Sequence, residues 1–156
     1  MSVKKVWFYF VRHAETDWSA QNLCQGHTDI PLNQKGLLEA QKLAAQLKNI
    51  QVSCIISSPL VRALRTAQAI QQVQIKAPIH IIREFAERSF GELEGRTNDQ
   101  LYTIERFEEK NPTFNLGRGV ESRCVFHQRV LKALEMAQNI APHPLTEEQK
   151  CNTYPK

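Results

Sequence analysis

Arg12 and His13 place a guanidinium beside an imidazole directly after the apolar run Val6 to Val11. That pair suits a phosphate. The forked guanidinium grips its oxygens, and an imidazole that is neutral near pH 7 can act as nucleophile or as proton carrier. A second arginine, Arg62, follows Ser57-Ser58-Pro59-Leu60-Val61, where serine then proline reads as the opening of a helix. A helix start adds free N–H groups and a positive dipole end to an anion site. The stretch Glu84-Phe85-Ala86-Glu87-Arg88-Ser89-Phe90-Gly91-Glu92-Leu93-Glu94-Gly95 then supplies carboxylates. Arginine, histidine, arginine and carboxylate thus follow three separate apolar segments.

Those segments read as strands. Val3 to Val11 is rich in Val and aromatic residues and predicts a buried strand, with Trp7, Phe8 and Phe10 in the core. Val52 to Ser57 and Pro78 to Ile82 predict two more. Between them Asn33 reads as the N-cap of a helix whose apolar side is Leu37, Leu38, Leu43, Ala44 and Leu47, with Gly36 in its first turn. Ser58 as N-cap and Pro59 as first helical residue start a helix to about Gln74, and Thr97 to Gln100 fits a capping box for a helix through about Glu109. A loop from Asn111 to Gly119 precedes a last amphipathic helix over Ser122 to Asn139. Strands alternating with helices predict an α/β fold with a mostly parallel sheet, and ligands of such sheets bind at the carboxyl ends of strands.

At 156 residues, with 42% hydrophobic and 23% charged positions, the chain has the size of one ordinary domain and needs no disulfide or metal to hold a core. The apolar run near the start is far too short to span a bilayer. Twenty basic against sixteen acidic residues give a formal charge of +4 spread along the chain, which fits a small anionic substrate better than a nucleic acid or a membrane surface. Cys24, Cys54, Cys124 and Cys151 form no C-x-x-C pair, and the N-terminus does not read as a secretory signal. Reduced thiols in a cytoplasmic protein are expected, and no metal. His27, His80, His127 and His143 read as surface or packing residues.

Four segments together resemble the histidine phosphatase superfamily in its phosphoglycerate-mutase-like branch. Val11 to Thr16 is similar to R-H-G-E-T, and Gly26 to Leu32 to G-x-x-D-x-P-L. Ser57 to Arg65 is similar to S-S-x-L-x-R-A, and Ala86 to Gly95 to x-E-R-x-F-G-x-x-E-G. The resemblance implies a three-layer α/β sandwich and phosphoryl transfer through a phosphohistidine on His13, with Arg12 and Arg62 on the phosphate. Glu87 would be the proton donor and acceptor, a task that calls for a carboxyl raised by burial or by neighbouring negative charge. Ser19, Asn22, Gln25 and Gly26 lie in the loop that lines the family's pocket. No cofactor is implied, and the partner would be a small phosphorylated metabolite, cleaved by a phosphatase rather than rearranged by a mutase.

The pattern is incomplete. Ala14 stands where the family has glycine, Ser19 where many relatives have asparagine, and Arg118-Gly119-Val120-Glu121-Ser122 only approximates P-G-G-E-S. After the last helix the family has a strand ending S-H-G, which carries a second catalytic histidine. Here the sequence reads Ala141-Pro142-His143-Pro144 and onward without an apolar strand. Residues 1–140 therefore read as an incomplete histidine-phosphatase-like domain and 141–156 as a divergent tail. Losing one preorganised donor typically costs about 10²–10³ in rate. A sheet lacking that strand would expose apolar surface and open edges, which invite pairing of two copies. A truncated, catalytically impaired binder of phosphorylated ligands is the alternative reading.

Overall fold

The computed structural model describes residues 7–111 and 119–140. A four-residue helix α1 (Asp17–Ala20) is closed by a capping box in which Thr16 and Ser19 satisfy each other's backbone N–H groups. Asn33, as its residue type predicts, caps α2 (Gln34–Leu47) by accepting from the Gly36 amide at 2.8 Å. The buried face of α2 is Gly36, Ala40 and Ala44. Leu37 and Leu38, expected on the apolar side, are 43% and 51% exposed. Small residues win that face because α2 packs closely on α3 (Val61–Val73), whose buried residues include Thr66, Ala67 and Ile70. The Gln74 side chain fastens the far ends, donating to the carbonyls of Leu47 and Ile50 at 2.7 Å each.

Two short strands flank α3. β1 (Ile55–Ser57) pairs in parallel with β2 (Ile79–Ile81), Ile55 opposite Ile79, so the βαβ order expected from the sequence is present with a small parallel sheet. Helix α4 (Asn98–Lys110) follows two single 3₁₀ turns at Arg83–Phe85 and Gly91–Leu93. Helix α5 (Arg123–Ile140) buries Ala133 and Ala137 against Ile82, Ile56 and Phe85. Its start is capped by Ser122, whose hydroxyl accepts from the Val125 amide at 3.2 Å. A smaller cluster, Cys24, Phe90 and Leu101 with Leu93, joins the loop after α1 to α4. No helix among the described residues is long and apolar enough to cross a membrane.

Two expectations are corrected. The predicted buried strand over Val3 to Val11 is not a strand across its described part, residues 7–11. Trp7, Tyr9 and Phe10 are 78%, 61% and 81% exposed. No backbone hydrogen bond joins residues 7–13 to another described residue, and β propensity expresses itself only where a neighbouring strand completes the ladder. Helix α3 begins later than Ser58-Pro59 predicts, with Leu60 at the N-cap and no side-chain cap of its own. Asp29, far away in sequence, takes over by accepting from the Val61 amide at 2.7 Å. The predicted tail, His143 and Arg118 lie outside the described residues.

Candidate active site

The segment before α1 brings His13 and Arg12 to one cleft, of about 400 Å³, whose walls also hold Arg62, Glu87, Ser19, Asn22, Gln25 and Gly26. All eight residues singled out in the sequence therefore meet in one place. His13 is held by its own neighbourhood. Its Nδ1 lies 2.8 Å from the Ala14 carbonyl, which can only accept, so Nδ1 carries the proton and Nε2 keeps its lone pair. The Ala14 amide in turn donates to Thr66 Oγ1 on α3 at 3.1 Å. Burial lowers the His13 pKa most; the Ala14 carbonyl works against it, Arg62 and Arg12 lower it further, and Glu87 pulls upward. The net result is an imidazole held below its ordinary 6.5 and neutral at pH 7.

Arg62 is buried in the first turn of α3. Its Nη1 and Nη2 donate to the carbonyls of Thr28 at 3.0 Å and Gly26 at 2.7 Å, which fixes the plane of the guanidinium and engages two of its five N–H groups. Desolvation lowers its pKa, while Glu87, Asp29 and Glu94 favour the charged form. The loop it grips is held from the other side by Glu94. That carboxylate accepts from the amides of His27, Thr28 and Phe90 and from the Thr28 hydroxyl. Burial raises Glu94, yet these donors outweigh it and keep the group ionised. Gly26 has φ +50, and a Cβ there would overlap the Glu94 side chain, so glycine is required at the point where this loop passes closest.

Glu87 sits at the edge of the cleft and is exposed. The burial expected for a proton-donating carboxyl is not present, and the charged groups that interact with it, Arg62 and Arg129, are cationic. Its Oε1 accepts from the Arg88 amide at 2.8 Å, which turns the carboxylate and leaves Oε2 for another partner. Arg12 is exposed on the cleft wall.

The weaker candidates divide. The Ser19 hydroxyl donates to the Thr16 carbonyl at 3.0 Å and accepts from the Thr16 amide at 2.9 Å. With its single proton engaged, Ser19 shapes the loop and has no donor for a ligand. Gln25 accepts from Thr16 Oγ1 at 2.8 Å through Oε1, so its carbonyl end is engaged within the loop. Asn22 adopts φ 56 and accepts from Asn98 Nδ2 at 2.8 Å, tying the loop to the start of α4. Sequence reasoning missed Leu23, Cys24, Phe90, Asn98 and Leu101, which complete the cleft wall. Of these, Phe90 lay within the Ala86 to Gly95 motif and Asn98 within a helix cap, and no spacing rule points to α4 as a wall.

These features define an α/β protein with a cleft of about 400 Å³ in which two arginines flank one oriented imidazole. The family model of the histidine phosphatase superfamily, branch 1, matches residues 8–144. Uncharacterized phosphatase PhoE of Bacillus subtilis (strain 168) is 35% identical over 147 residues, covering 88% of this chain and 74% of that protein. Probable phosphoglycerate mutase GpmB of Escherichia coli O1:K1 is 35% identical over 140 residues, covering 85% and 63%. The crystal structure of the alpha-ribazole phosphatase from Shigella flexneri superposes with a TM-score of 0.69 at 27% identity, covering 83% of this chain and 65% of that one. The chain thus spans about two thirds of these relatives' lengths. It belongs to the histidine phosphatase superfamily, whose matching members here are phosphatases and phosphoglycerate-mutase-like proteins.

Proposed function

We propose that the protein hydrolyses a small phosphomonoester through a phosphohistidine on His13. The observation that carries the reading is the orientation of His13, with Nδ1–H held by the Ala14 carbonyl and Nε2 available beside Arg12 and Arg62. In the first step Nε2 attacks phosphorus, an N–P bond forms, and the ester P–O bond breaks. Glu87, protonated, gives its proton to the departing alkoxide. In the second step water attacks phosphorus, the N–P bond breaks and Glu87 takes the proton of the water. The sum is ester plus water giving alcohol plus inorganic phosphate. The arginines offset the phosphoryl charge, the larger part of catalysis in such transfers.

The activities named for the protein's relatives, an alpha-ribazole phosphatase among them, support a small phosphorylated metabolite as substrate.

The competing reading is a binder without turnover. Phosphate release from a panel of phosphomonoesters, with His13→Ala alongside, separates the two. Turnover lost in the variant supports hydrolysis. Phosphate-dependent thermal stabilisation of a folded sample without turnover supports binding alone, with a size set by RT ln(1 + [L]/Kd). Pairing of two copies along the exposed Trp7 to Val11 stretch is tested in the same preparation by the dependence of its mass on concentration.

A further inference from the structure

Arg129, on α5 and outside the cleft wall, uses its guanidinium on five acceptors. Nε and Nη2 meet the two carboxylate oxygens of Glu121 at 2.8 and 2.6 Å. Nη1 donates to the carbonyls of Glu84 and Ala86 at 2.8 Å each, and Nη2 reaches the Glu87 carbonyl at 3.2 Å. His27 Nε2 meets that same Glu87 carbonyl from the other side at 2.6 Å. The Glu87 carbonyl and the Arg88 amide belong to one planar peptide unit, so fixing the oxygen fixes the direction of the N–H. That N–H is the group bonded to Glu87 Oε1.

We propose that Arg129, seated by Glu121 and assisted by His27, is a positioning residue that aims the Glu87 carboxylate into the cleft by locking the peptide plane between Glu87 and Arg88. The chain of contacts is continuous: Glu121 holds Arg129 in a fork, Arg129 and His27 hold the carbonyl, and the amide of that peptide holds the carboxylate. A lysine cannot replace Arg129, because one ammonium has no planar fork to span a carboxylate and three carbonyls. Glu121 is itself seated, accepting from the Ser89 amide through Oε2 at 3.3 Å while its own amide donates to the Ser89 carbonyl at 2.9 Å. The side chains of Arg129 and Glu121 are only 19% and 13% exposed, so water competes weakly for the fork.

The inference rests on the phosphatase reading, in which Glu87 serves the leaving oxygen. A misaimed acid slows esters with a poor leaving group and spares those with a good one. Arg129→Lys is therefore expected to lower kcat on glycerol phosphate by about 10²-fold, the cost of a misplaced catalytic group, and on p-nitrophenyl phosphate far less. His27→Ala, which removes the other hold on the carbonyl without touching α5, is expected to show the same selectivity at smaller size. In a Glu87→Gln background neither substitution adds to the loss on glycerol phosphate. Equal losses on both esters, or losses that add to that of Glu87→Gln, overturn the proposal.

A protein without turnover would sink the phosphatase reading and leave a second arm to decide this one, namely the His13 imidazole titration followed by NMR. Arg12, Arg62 and Glu87 are the charged groups facing His13. Glu87→Gln removes the group that favours the imidazolium, so the midpoint falls, and Arg129→Lys is expected to lower it too but not further in the Glu87→Gln background. A midpoint unmoved by Glu87→Gln, or moved by it and not by Arg129→Lys, overturns the proposal.

Discussion

At the scale of single residues, the proposed chemistry rests on how the His13 side chain is denied freedom. His13 lines the cleft with one nitrogen tied to Ala14, and burial together with two arginines keeps it neutral. The consequence is a sign that can be measured. A histidine whose folded pKa is depressed takes up its proton in the unfolded chain first. Stability therefore declines as pH falls through about 6.5 toward the folded midpoint, and above that window the group contributes nothing. An NMR titration of His13 is expected to give a midpoint below 6.5, and a His13→Gln variant should lose less stability than the wild type across the same window. A midpoint at or above 6.5 would contradict the arrangement of charges described here. The side-chain types were readable from the sequence, since Arg12, His13, Arg62 and Glu87 stand in motifs whose chemistry is specific. The tautomer was not, because it depends on a carbonyl whose direction only the folded loop sets.

At the scale of elements, the loops hold the site and the helices hold the loops. The clearest case is Gly36. Sequence alone places it in the first turn of a helix, where glycine costs little, but the structure gives it a purpose. A Cβ at Gly36 would overlap the backbone carbonyl of Glu15, so the start of α2 is pressed against the segment that carries His13. Asn33 strengthens the same seam, donating from its amide to the Asn33-facing carboxylate of Glu15 at 3.1 Å while capping the helix. Gly36→Ala is expected to destabilise the fold by about 1–3 kcal/mol through overpacking, whereas Ala45→Gly in the exposed part of the same helix should cost about 1 kcal/mol through propensity alone. Urea denaturation of the two variants checks this. A stabilising Gly36→Ala, the usual result in an open helix, would show that α2 does not press on the loop. Helix positions were largely legible from caps and periodicity. The face that α2 buries was not, because Leu37 and Leu38 outweigh Ala40 on any hydrophobicity scale while only small residues fit against α3.

At the scale of the whole molecule, the sheet is small and the aromatic stretch before His13 lies open. Local pattern made Trp7 to Val11 a core strand, and the pattern is a fair one, but a strand is completed by its neighbours and not by its own composition. The same reasoning gives a sharp contrast in stability. Phe10→Ser is expected to change the unfolding free energy by no more than about 0.5 kcal/mol, the range for surface positions, because Phe10 is 81% exposed. A loss of about 3–5 kcal/mol, the range for removing a buried aromatic, would mean that the stretch is covered in solution, by a second copy or by other polypeptide. Repeating the measurement over a range of protein concentrations tells those two covers apart.

A phosphoryl group accepted by His13 would leave a covalent intermediate that can be trapped. Protein mixed with a ³²P-labelled phosphomonoester and quenched in alkali should retain label that is stable in base and released by acid, as a phosphoramidate is. This label is expected in the wild type, on the peptide containing His13, and is expected to be absent from His13→Ala. Label that persists in the variant, or a protein that releases phosphate without ever carrying label while Glu87→Gln slows the release, would contradict the phosphohistidine and move the chemistry to direct attack by water.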